Sequence, residues 1–432
     1  MALAFTACSP AASERPERAA LAAQAITSNE AKILELRFSA ELVALSNTEA
    51  RKAILSQLVY AQGIFVTAHN GNGQVGQVVL SNVVETEEGR AKRIRYDAAL
   101  PVAFPKDLET PERYALALPR DVRLLAAFNR KYDGTCGKNQ YGQENFWLDY
   151  DPGAAGCRID DEDVVRASAA VAPYAKASTD KYPEYDLLWA DDRLDVIALF
   201  ALIEGAEPDD YGYTERDAFL RRAKERLTDG AIANRQPTRS FLSDASVTGT
   251  VEVGGRQKPV SIDVLLVPDL QRIGPDFDQR FDPISEKADL ILYNGHAGLG
   301  ENVNVLARKG KVAREKYQLV LLNGCQSFAH IDRTLNERRT AVNGADRDPA
   351  GTMYMDVVGN ALIGYANNLA AMSFTLLDAA VEADTPRSYR SILAAMPANQ
   401  LVVAFGEDDN RFAPPPLPAR FRALEYSPAF SR

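Results

Sequence analysis

The sequence predicts an α/β protein: a mostly parallel sheet covered by helices in the C-terminal half, preceded by a β-rich, sandwich-like N-terminal domain. In the C-terminal half, short runs that are apolar on both faces alternate with segments of helical spacing, which is typical of parallel strands buried under helices. Before them, segments rich in β-branched and aromatic residues are separated by turn signals. At about 150 residues per domain, the 432 residues allow two or three domains.

The chain divides by composition into three parts. Residues 1–30 are predicted to be a signal remnant and tether, because 9–30 are rich in Ala, Ser, Glu and Arg. Residues 31–175 are predicted to be the β-rich domain, whose role the sequence does not indicate. Residues 185–432 are predicted to be the α/β domain, with an extended Pro-rich tail that includes Pro414 and Pro416.

The β-rich part contains four predicted strands, at 57–68, 77–84, 93–104 and 114–118. The first two are expected to form a hairpin, because Asn-Gly-Asn-Gly at 70–73 separates them. The α/β part contains apolar runs at 194–203, 261–267, 289–293, 318–322 and 401–405, and helical spacing at 215–227. Residues 355–376 are expected to hold both a helix and a strand.

Composition and charge restrict the possible partners. Apolar residues make up 46% and charged residues 25%, which is ordinary for a globular protein. The 49 basic and 59 acidic residues give a net charge of −10, and an acidic surface repels phosphate backbones. We therefore expect no nucleic-acid partner. The sequence has no apolar run of 18 or more residues, so no membrane span is predicted.

The first eight residues end in Thr6-Ala7-Cys8 after an apolar stretch, which resembles the end of a bacterial lipoprotein signal. The resemblance implies lipidation of Cys8 and a protein exported to the periplasm, outer membrane or cell surface. Membrane contact is then expected only through this anchor. The alternative is an N-terminus that contains a cysteine by chance, because a basic n-region is missing and the apolar run is short.

Cys136 and Cys157 are predicted to form a disulfide. They are 21 residues apart in a segment rich in Gly, Asn, Asp and Tyr that lacks hydrophobic periodicity and needs another constraint to stay ordered. Zinc is a poor interpretation, because neither a Cys-x-x-Cys pair nor a nearby histidine accompanies them. A disulfide forms in an oxidising compartment, which agrees with the lipoprotein-like start.

Two segments carry the residues best suited to chemistry. Residues 289–294 and 317–323 are each an apolar strand ending in Asn, then Gly, and shortly afterwards comes one reactive side chain: His296 in the first and Cys325 in the second. The intervening residues 301–316 are enough for a crossover helix, so the two strands are expected to be parallel and adjacent. Their carboxyl ends then lie at the edge where open α/β sheets bind ligands.

This pairing indicates nucleophilic catalysis. A histidine beside a cysteine can take the thiol proton and later protonate a leaving amine. Gly295, Gly298 and Gly324 let the backbone approach a substrate closely. The backbone N–H groups of Cys325 and of Ala297, just after His296, are candidates for an oxyanion hole.

Over residues 185–410 these two segments resemble the caspase-like cysteine peptidases, which include caspases, gingipains, clostripain and legumain. In that family one strand ends in His-Gly and the next ends in a small residue followed by Cys. The resemblance implies a catalytic His296, a nucleophilic Cys325, a peptide or protein substrate and no cofactor or metal. Ala297 departs from the family, which usually has glycine there. Gly406-Glu407-Asp408 resembles the Gly-Asp-Pro that closes gingipain-like domains.

Other interpretations remain open. A catalytically degenerate scaffold that acts as a cell-surface binding protein would have a buried, unreactive Cys325. Non-peptide acyl transfer by the same two residues is not separable by sequence. A metal site of His296, Cys325 and His330 matches no known ligand spacing. Asp348, Asp356 and Asp378 are candidates for a pocket that accepts Arg or Lys.

Overall fold

The computed structural model describes residues 24–68, 73–74, 78–106, 108–139, 142–205, 209–331 and 333–414. Its strands are β1 (Ile26–Ser28), β2 (Ala31–Leu45), β3 (Gly73–Gln74), β4 (Val79–Glu88), β5 (Ala91–Pro105), β6 (Arg113–Pro119), β7 (Val164–Pro173), β8 (Leu194–Ala201), β9 (Thr228–Arg235), β10 (Ser243–Val253), β11 (Arg256–Val267), β12 (Leu290–Asn294), β13 (Gln318–Asn323), β14 (Met355–Asn360) and β15 (Val402–Phe405). Its α-helices are α1 (Ala50–Ala68), α2 (Leu125–Tyr132), α3 (Tyr185–Leu188), α4 (Tyr211–Arg226), α5 (Pro275–Ser285), α6 (Glu301–Arg308), α7 (Thr334–Asn343), α8 (Leu369–Val381) and α9 (Tyr389–Ala394).

In the described part of the chain, one sheet has nine strands in the order β1-β15-β14-β13-β12-β8-β11-β10-β9. The five from β14 to β11 run parallel, and the outer pairings are antiparallel. The sheet is therefore mixed, and the prediction of a mostly parallel sheet was too simple. One cause is the tight hairpin at Gly254 and Gly255, whose positive φ angles of 61° and 69° turn β10 directly into β11.

The second sheet has six strands, all paired antiparallel: β3-β5-β2-β7-β6, with β4 beside β5. It confirms the predicted strands at 93–104 and 114–118. The strand predicted at 57–68 is wrong, because these residues lie in the helix α1. Residues 69–72, which hold most of the turn expected at 70–73, lie outside the described residues.

The helical state of α1 follows from its buried face. Ile54, Leu58, Ala61 and Phe65 are buried and recur at intervals of four, three and four residues, which is the spacing of one helix face. Gly63 permits backbone contact, since a Cβ there would lie 1.8 Å from the carbonyl oxygen of Trp147. Tertiary packing therefore overrides the strand preference of the β-branched residues.

The structure does not confirm a separate β-rich domain at 31–175. Most of the buried residues in 31–175 form a hydrophobic cluster of their own. Ile33 and Tyr174, however, belong to the same buried cluster as Ile197 and Phe405 of the nine-stranded sheet. The segment preceding it, β1, is also an edge strand of that sheet. The six strands form one sheet with a helix, not a sandwich.

Two further expectations have an outcome in the fold. Cys136 and Cys157 form the predicted disulfide, and Cys136 is fully buried. No helix among the described residues is long and apolar enough to span a membrane. Cys8 and the tail beyond Pro414 lie outside the described residues.

Candidate cysteine–histidine site

The turns that carry His296 and Cys325 lie side by side at the carboxyl edge of the nine-stranded sheet. As the spacing predicted, β12 and β13 are parallel neighbours joined through α6, with Asn294 opposite Asn323. Gly324 allows the two turns to touch. A Cβ at this position would lie 2.6 Å from the carbonyl oxygen of Gly295 and 2.8 Å from the amide nitrogen of Ala297.

A row of buried amides underlies these turns. Asn294, Asn323 and Asn360 end three adjacent strands, and all three are fully buried. Nδ2 of Asn323 donates to Oδ1 of Asn294 over 3.0 Å, and Nδ2 of Asn360 donates to Oδ1 of Asn323 over 3.2 Å. The hydroxyl of Ser373 and the amide of Gln400 complete the row at its ends. We call this set the amide ladder.

His296 is exposed, and two groups fix its backbone. The hydroxyl of Tyr293 and Nδ2 of Asn302 both donate to its carbonyl oxygen, over 2.7 and 3.1 Å. Its ring nitrogen Nε2 lies 2.7 Å from the carbonyl oxygen of Ile203. Because a carbonyl only accepts, Nε2 is the donor, and the tautomer with this single proton has its lone pair on Nδ1.

The loop that presents the Ile203 carbonyl is held by one buried carboxylate. Asp210 accepts hydrogen bonds of 2.6–3.1 Å from four backbone N–H groups, those of residues 203, 204, 205 and 212. Burial alone would raise the pKa of Asp210, but these donors outweigh it and lower the pKa below its usual value. Asp210 therefore positions His296 through Ile203.

Cys325 is exposed and is the free cysteine within the described residues. Its Sγ donates to the carbonyl oxygen of Gly364 at 3.6 Å, in the loop that follows β14. No hydrogen bond joins Cys325 to His296 in the described part of the chain. The thiol thus rests on one neighbouring loop while the imidazole rests on another.

The chain after Cys325 turns sharply. Gln326 has a left-handed φ of +51°, which is strained for a residue with a side chain. Its N–H donates to the carbonyl of Leu362 over 2.7 Å, and the Ser327 hydroxyl donates to the carbonyl of Leu322 over 2.5 Å. These bonds tie the cysteine turn to the end of β13 and to the loop after β14.

The predicted oxyanion residues have different backbone environments. The N–H groups of Gly295 and Gly324 donate to the carbonyls of Asn323 and Leu322. Within the described residues, the N–H groups of Ala297 and Cys325 have no acceptor. Ala297 has φ −68° and ψ −21°, which an alanine adopts without strain, so its N–H position does not require a glycine. Gly298, at φ +60°, begins the left-handed stretch that follows.

Several residues singled out by sequence lie elsewhere. Asp356 and Glu407 are buried at the opposite edge of the sheet, so Gly406-Glu407-Asp408 is not part of this site. Asp378 pairs with Arg226, and Asp348 is buried against Asn343. No group of three or more His, Cys, Asp or Glu side chains in the described ranges is arranged to hold a metal.

Sequence reasoning missed three parts of the site: Ile203, Asp210 and Asn360. For Asn360 a signal existed, because 355–360 is a third apolar strand that ends in Asn, as 290–294 and 318–323 do. Nothing local in the sequence marks Ile203, because its carbonyl meets His296 only after the sheet assembles. No known protein family, curated protein or solved structure matches this chain.

Proposed function

We propose that the protein is a cysteine endopeptidase in which Cys325 is the nucleophile and His296 the general base and acid. The supporting observation is the pair of touching turns at one sheet edge, one with an exposed free thiol and the other with an exposed imidazole whose Nδ1 is available for a proton. The caspase-like order of these two strands agrees with this chemistry. The substrate is a peptide or protein, and no cofactor takes part.

The reaction begins when Sγ leaves the Gly364 carbonyl and gives its proton to Nδ1 of His296. The thiolate attacks the carbonyl carbon of the scissile bond and forms a tetrahedral intermediate. His296 returns the proton to the leaving amine as the C–N bond breaks, which leaves a thioester on Cys325. Water, deprotonated by the same imidazole, hydrolyses the thioester and restores the thiol.

The N–H groups of Cys325 and Ala297 stabilise the intermediate. They donate to no acceptor in the described residues, and they belong to the two turns that touch at Gly324. A carbonyl oxygen held between them gains hydrogen-bond strength as it becomes an oxyanion. The amide ladder keeps the two donors at a fixed separation.

We also infer that the protein works in an oxidising compartment after export. The Cys136–Cys157 disulfide supports this inference, because such bonds persist outside the reducing cytosol. The lipoprotein-like start around Cys8 agrees with it and implies a lipid anchor in the periplasm, outer membrane or at the cell surface. Nucleic acid is not expected as a partner of this acidic chain.

The test is the rate of alkylation of Cys325 by iodoacetamide at neutral pH, mapped by mass spectrometry. We expect fast labelling in the wild type and a rate about 100-fold lower in His296→Ala, because the imidazole no longer generates the thiolate. Glu301→Gln, an exposed change just beyond the histidine turn, is the matched control and should label like the wild type.

Equal, slow labelling of Cys325 in the wild type and in His296→Ala would overturn the proposal and favour a degenerate binding scaffold. Fast, His296-dependent labelling should be followed by a fluorogenic peptide library, in which Cys325→Ala abolishes cleavage. A reactive thiol that cleaves no peptide but hydrolyses simple thioesters or esters would instead indicate non-peptide acyl transfer.

A further inference from the structure

A cavity of about 460 Å³ lies outside the cysteine–histidine site, between α1 and the chain that connects the Cys325 turn to α7. One wall is a stripe of α1, and the other includes His330 and Ile331. Its volume is in the range of sites that bind small molecules or short peptides.

The α1 wall is polar at both ends and apolar between them. Arg51 lies in the first turn of α1, and Gln62 lies about three turns after Arg51. Leu55, Leu58 and Val59 lie between them. At a rise of about 1.5 Å per residue, the 11-residue step separates Arg51 and Gln62 by about 16 Å along the helix axis. Val78 and Ile331 add apolar surface from the other elements.

Gln62 lacks the partners that a buried amide needs. Its exposure is 2%, and neither Nε2 nor Oε1 has a hydrogen-bond partner in the described chain. Folded proteins rarely leave both a donor and an acceptor of one buried side chain unpaired. The backbone of one extended peptide residue satisfies both at once, since its C=O and N–H lie on the same side and can pair with Nε2 and Oε1. A hydrocarbon chain offers neither.

Arg51 is the cation available at the other end. Arg333 is paired with Glu337, with 3.4 Å between Nε and Oε1, whereas Arg51 has no ion pair within the described residues. Burial and the nearby charge of Arg333 lower the pKa of Arg51, although Glu49 and Glu337 oppose this effect. An anion beside Arg51 would offset both the burial of the Arg51 charge and its repulsion from Arg333. The N-terminal end of α1 also favours negative charge.

We propose that this cavity binds a short apolar peptide with a free C-terminal carboxylate, which Arg51 holds while Gln62 pairs with the N–H and C=O of one residue further along. An acetyl group followed by four extended residues, about five units in all, spans the distance between the two polar ends. The apolar side chains of the peptide lie on Leu55, Leu58 and Val59.

The cavity is connected to both turns of the cysteine–histidine site by His330. This ring lines the cavity and packs on Gly300, where a Cβ would lie 3.0 Å from that of His330. Gly300 ends the turn that begins at His296, and His330 is five residues after Cys325. A bound peptide therefore contacts the residue that joins the two turns.

The test is isothermal titration calorimetry with the Cys325→Ala protein, which cannot carry out the proposed hydrolysis. The probes are the tetrapeptide acetyl-Ala-Leu-Val-Leu with a free carboxylate, the same peptide with a C-terminal amide, and N-acetyl-leucine. We expect the acid to bind at least tenfold more tightly than the amide, and the single amino acid to bind more weakly than the tetrapeptide.

Variants identify the site. Arg51→Gln should remove the preference for the acid, and Gln62→Leu should weaken the tetrapeptide acid at least fivefold without lowering the melting temperature, since its amide has no partner to lose. Lys52→Gln, an exposed neighbour on α1, should leave affinity unchanged. Equal binding of acid and amide, no binding at 5 mM, or unchanged affinity in both variants would overturn the proposal, whatever the outcome at Cys325. The proposal would also be overturned if N-acetyl-leucine bound as tightly as the tetrapeptide.

Discussion

The side-chain amide of Asn323 donates a 3.0 Å hydrogen bond to the side-chain oxygen of Asn294, directly beneath the turns that hold Cys325 and His296. The two residues are also opposite each other in the parallel register of β13 and β12. The thiol and the imidazole themselves share no hydrogen bond in the described chain. Their relative position is therefore set by buried amides and by backbone contact at Gly324.

We first predict that Asn323→Leu loosens the site. The change leaves Oδ1 of Asn294 and Nδ2 of Asn360 each without one partner in a fully buried row. We expect the free energy of unfolding to fall by about 1–3 kcal/mol and the alkylation rate of Cys325 to fall several-fold. Urea denaturation and iodoacetamide labelling measure the two effects.

Asn368→Ala is the matched control for the ladder. Asn368 also donates a side-chain hydrogen bond, of 2.8 Å to Asn399, but this bond is exposed to water. The control should change stability by less than about 0.5 kcal/mol and leave labelling unaltered. Normal labelling in Asn323→Leu at reduced stability would show that the ladder supports the fold but does not position the thiol.

The second prediction concerns Asp210, which positions His296 through the Ile203 carbonyl. Asp210→Asn weakens four charge-assisted hydrogen bonds from backbone N–H groups. We expect a loss of about 1–3 kcal/mol at pH 7 and slower labelling of Cys325. Asp209→Asn, a change at the exposed neighbouring residue, should alter neither the stability nor the labelling rate of Cys325.

The pH dependence of this loss has a definite sign. The pKa of Asp210 is lowered in the folded state, so its contribution is fully present above the unfolded pKa, near 3.9, and is lost as the pH falls through the folded value. The stability difference between wild type and Asp210→Asn should therefore shrink below about pH 4. A difference that grows on acidification would contradict the role assigned to the carboxylate.

The sequence predicted the parts of the fold whose signal is local. The strands around His296 and Cys325 were predicted because parallel strands buried on both faces are continuously apolar, and a crossover connection makes them neighbours. The prediction of a strand at 57–68 was wrong, because the β-branched residues there belong to a helix packed on Trp147. Sequence reasoning also missed Asp210, because the four backbone amides that donate to this carboxylate converge only in the folded loop.

The third prediction concerns two buried carboxyls at the opposite edge of the sheet. Burial raises the pKa of Asp356 to about 7, although Tyr317, Tyr389 and Asn410 donate hydrogen bonds to it. Burial, together with the nearby charge of Asp356, raises the pKa of Glu407 to about 8. Between about pH 4 and pH 8 the unfolded chain loses protons that the folded chain keeps, so the free energy of unfolding should fall as the pH rises through this window.

Asp356→Asn and Glu407→Gln keep a similar shape but do not ionise. Each should flatten the decline in the free energy of unfolding between pH 5 and pH 8.5, measured by urea denaturation. Asp180→Asn, an exposed change, should leave the slope as in the wild type. Unchanged slopes in both buried variants would mean that these carboxyls ionise in the folded protein without cost.

The fourth prediction tests the dependence of the fold on its disulfide. The Cys136–Cys157 bond closes a loop of 21 residues, and Cys136 is fully buried against the six-stranded sheet. Restricting a loop of this length in the unfolded chain stabilises a protein by about 3 kcal/mol. The Cys136→Ala/Cys157→Ala variant should lose about that much in urea denaturation, and a reducing agent should destabilise the wild type but not the variant. A wild type indifferent to reduction would remove the main structural support for export, because the fold would then be equally stable in the cytosol.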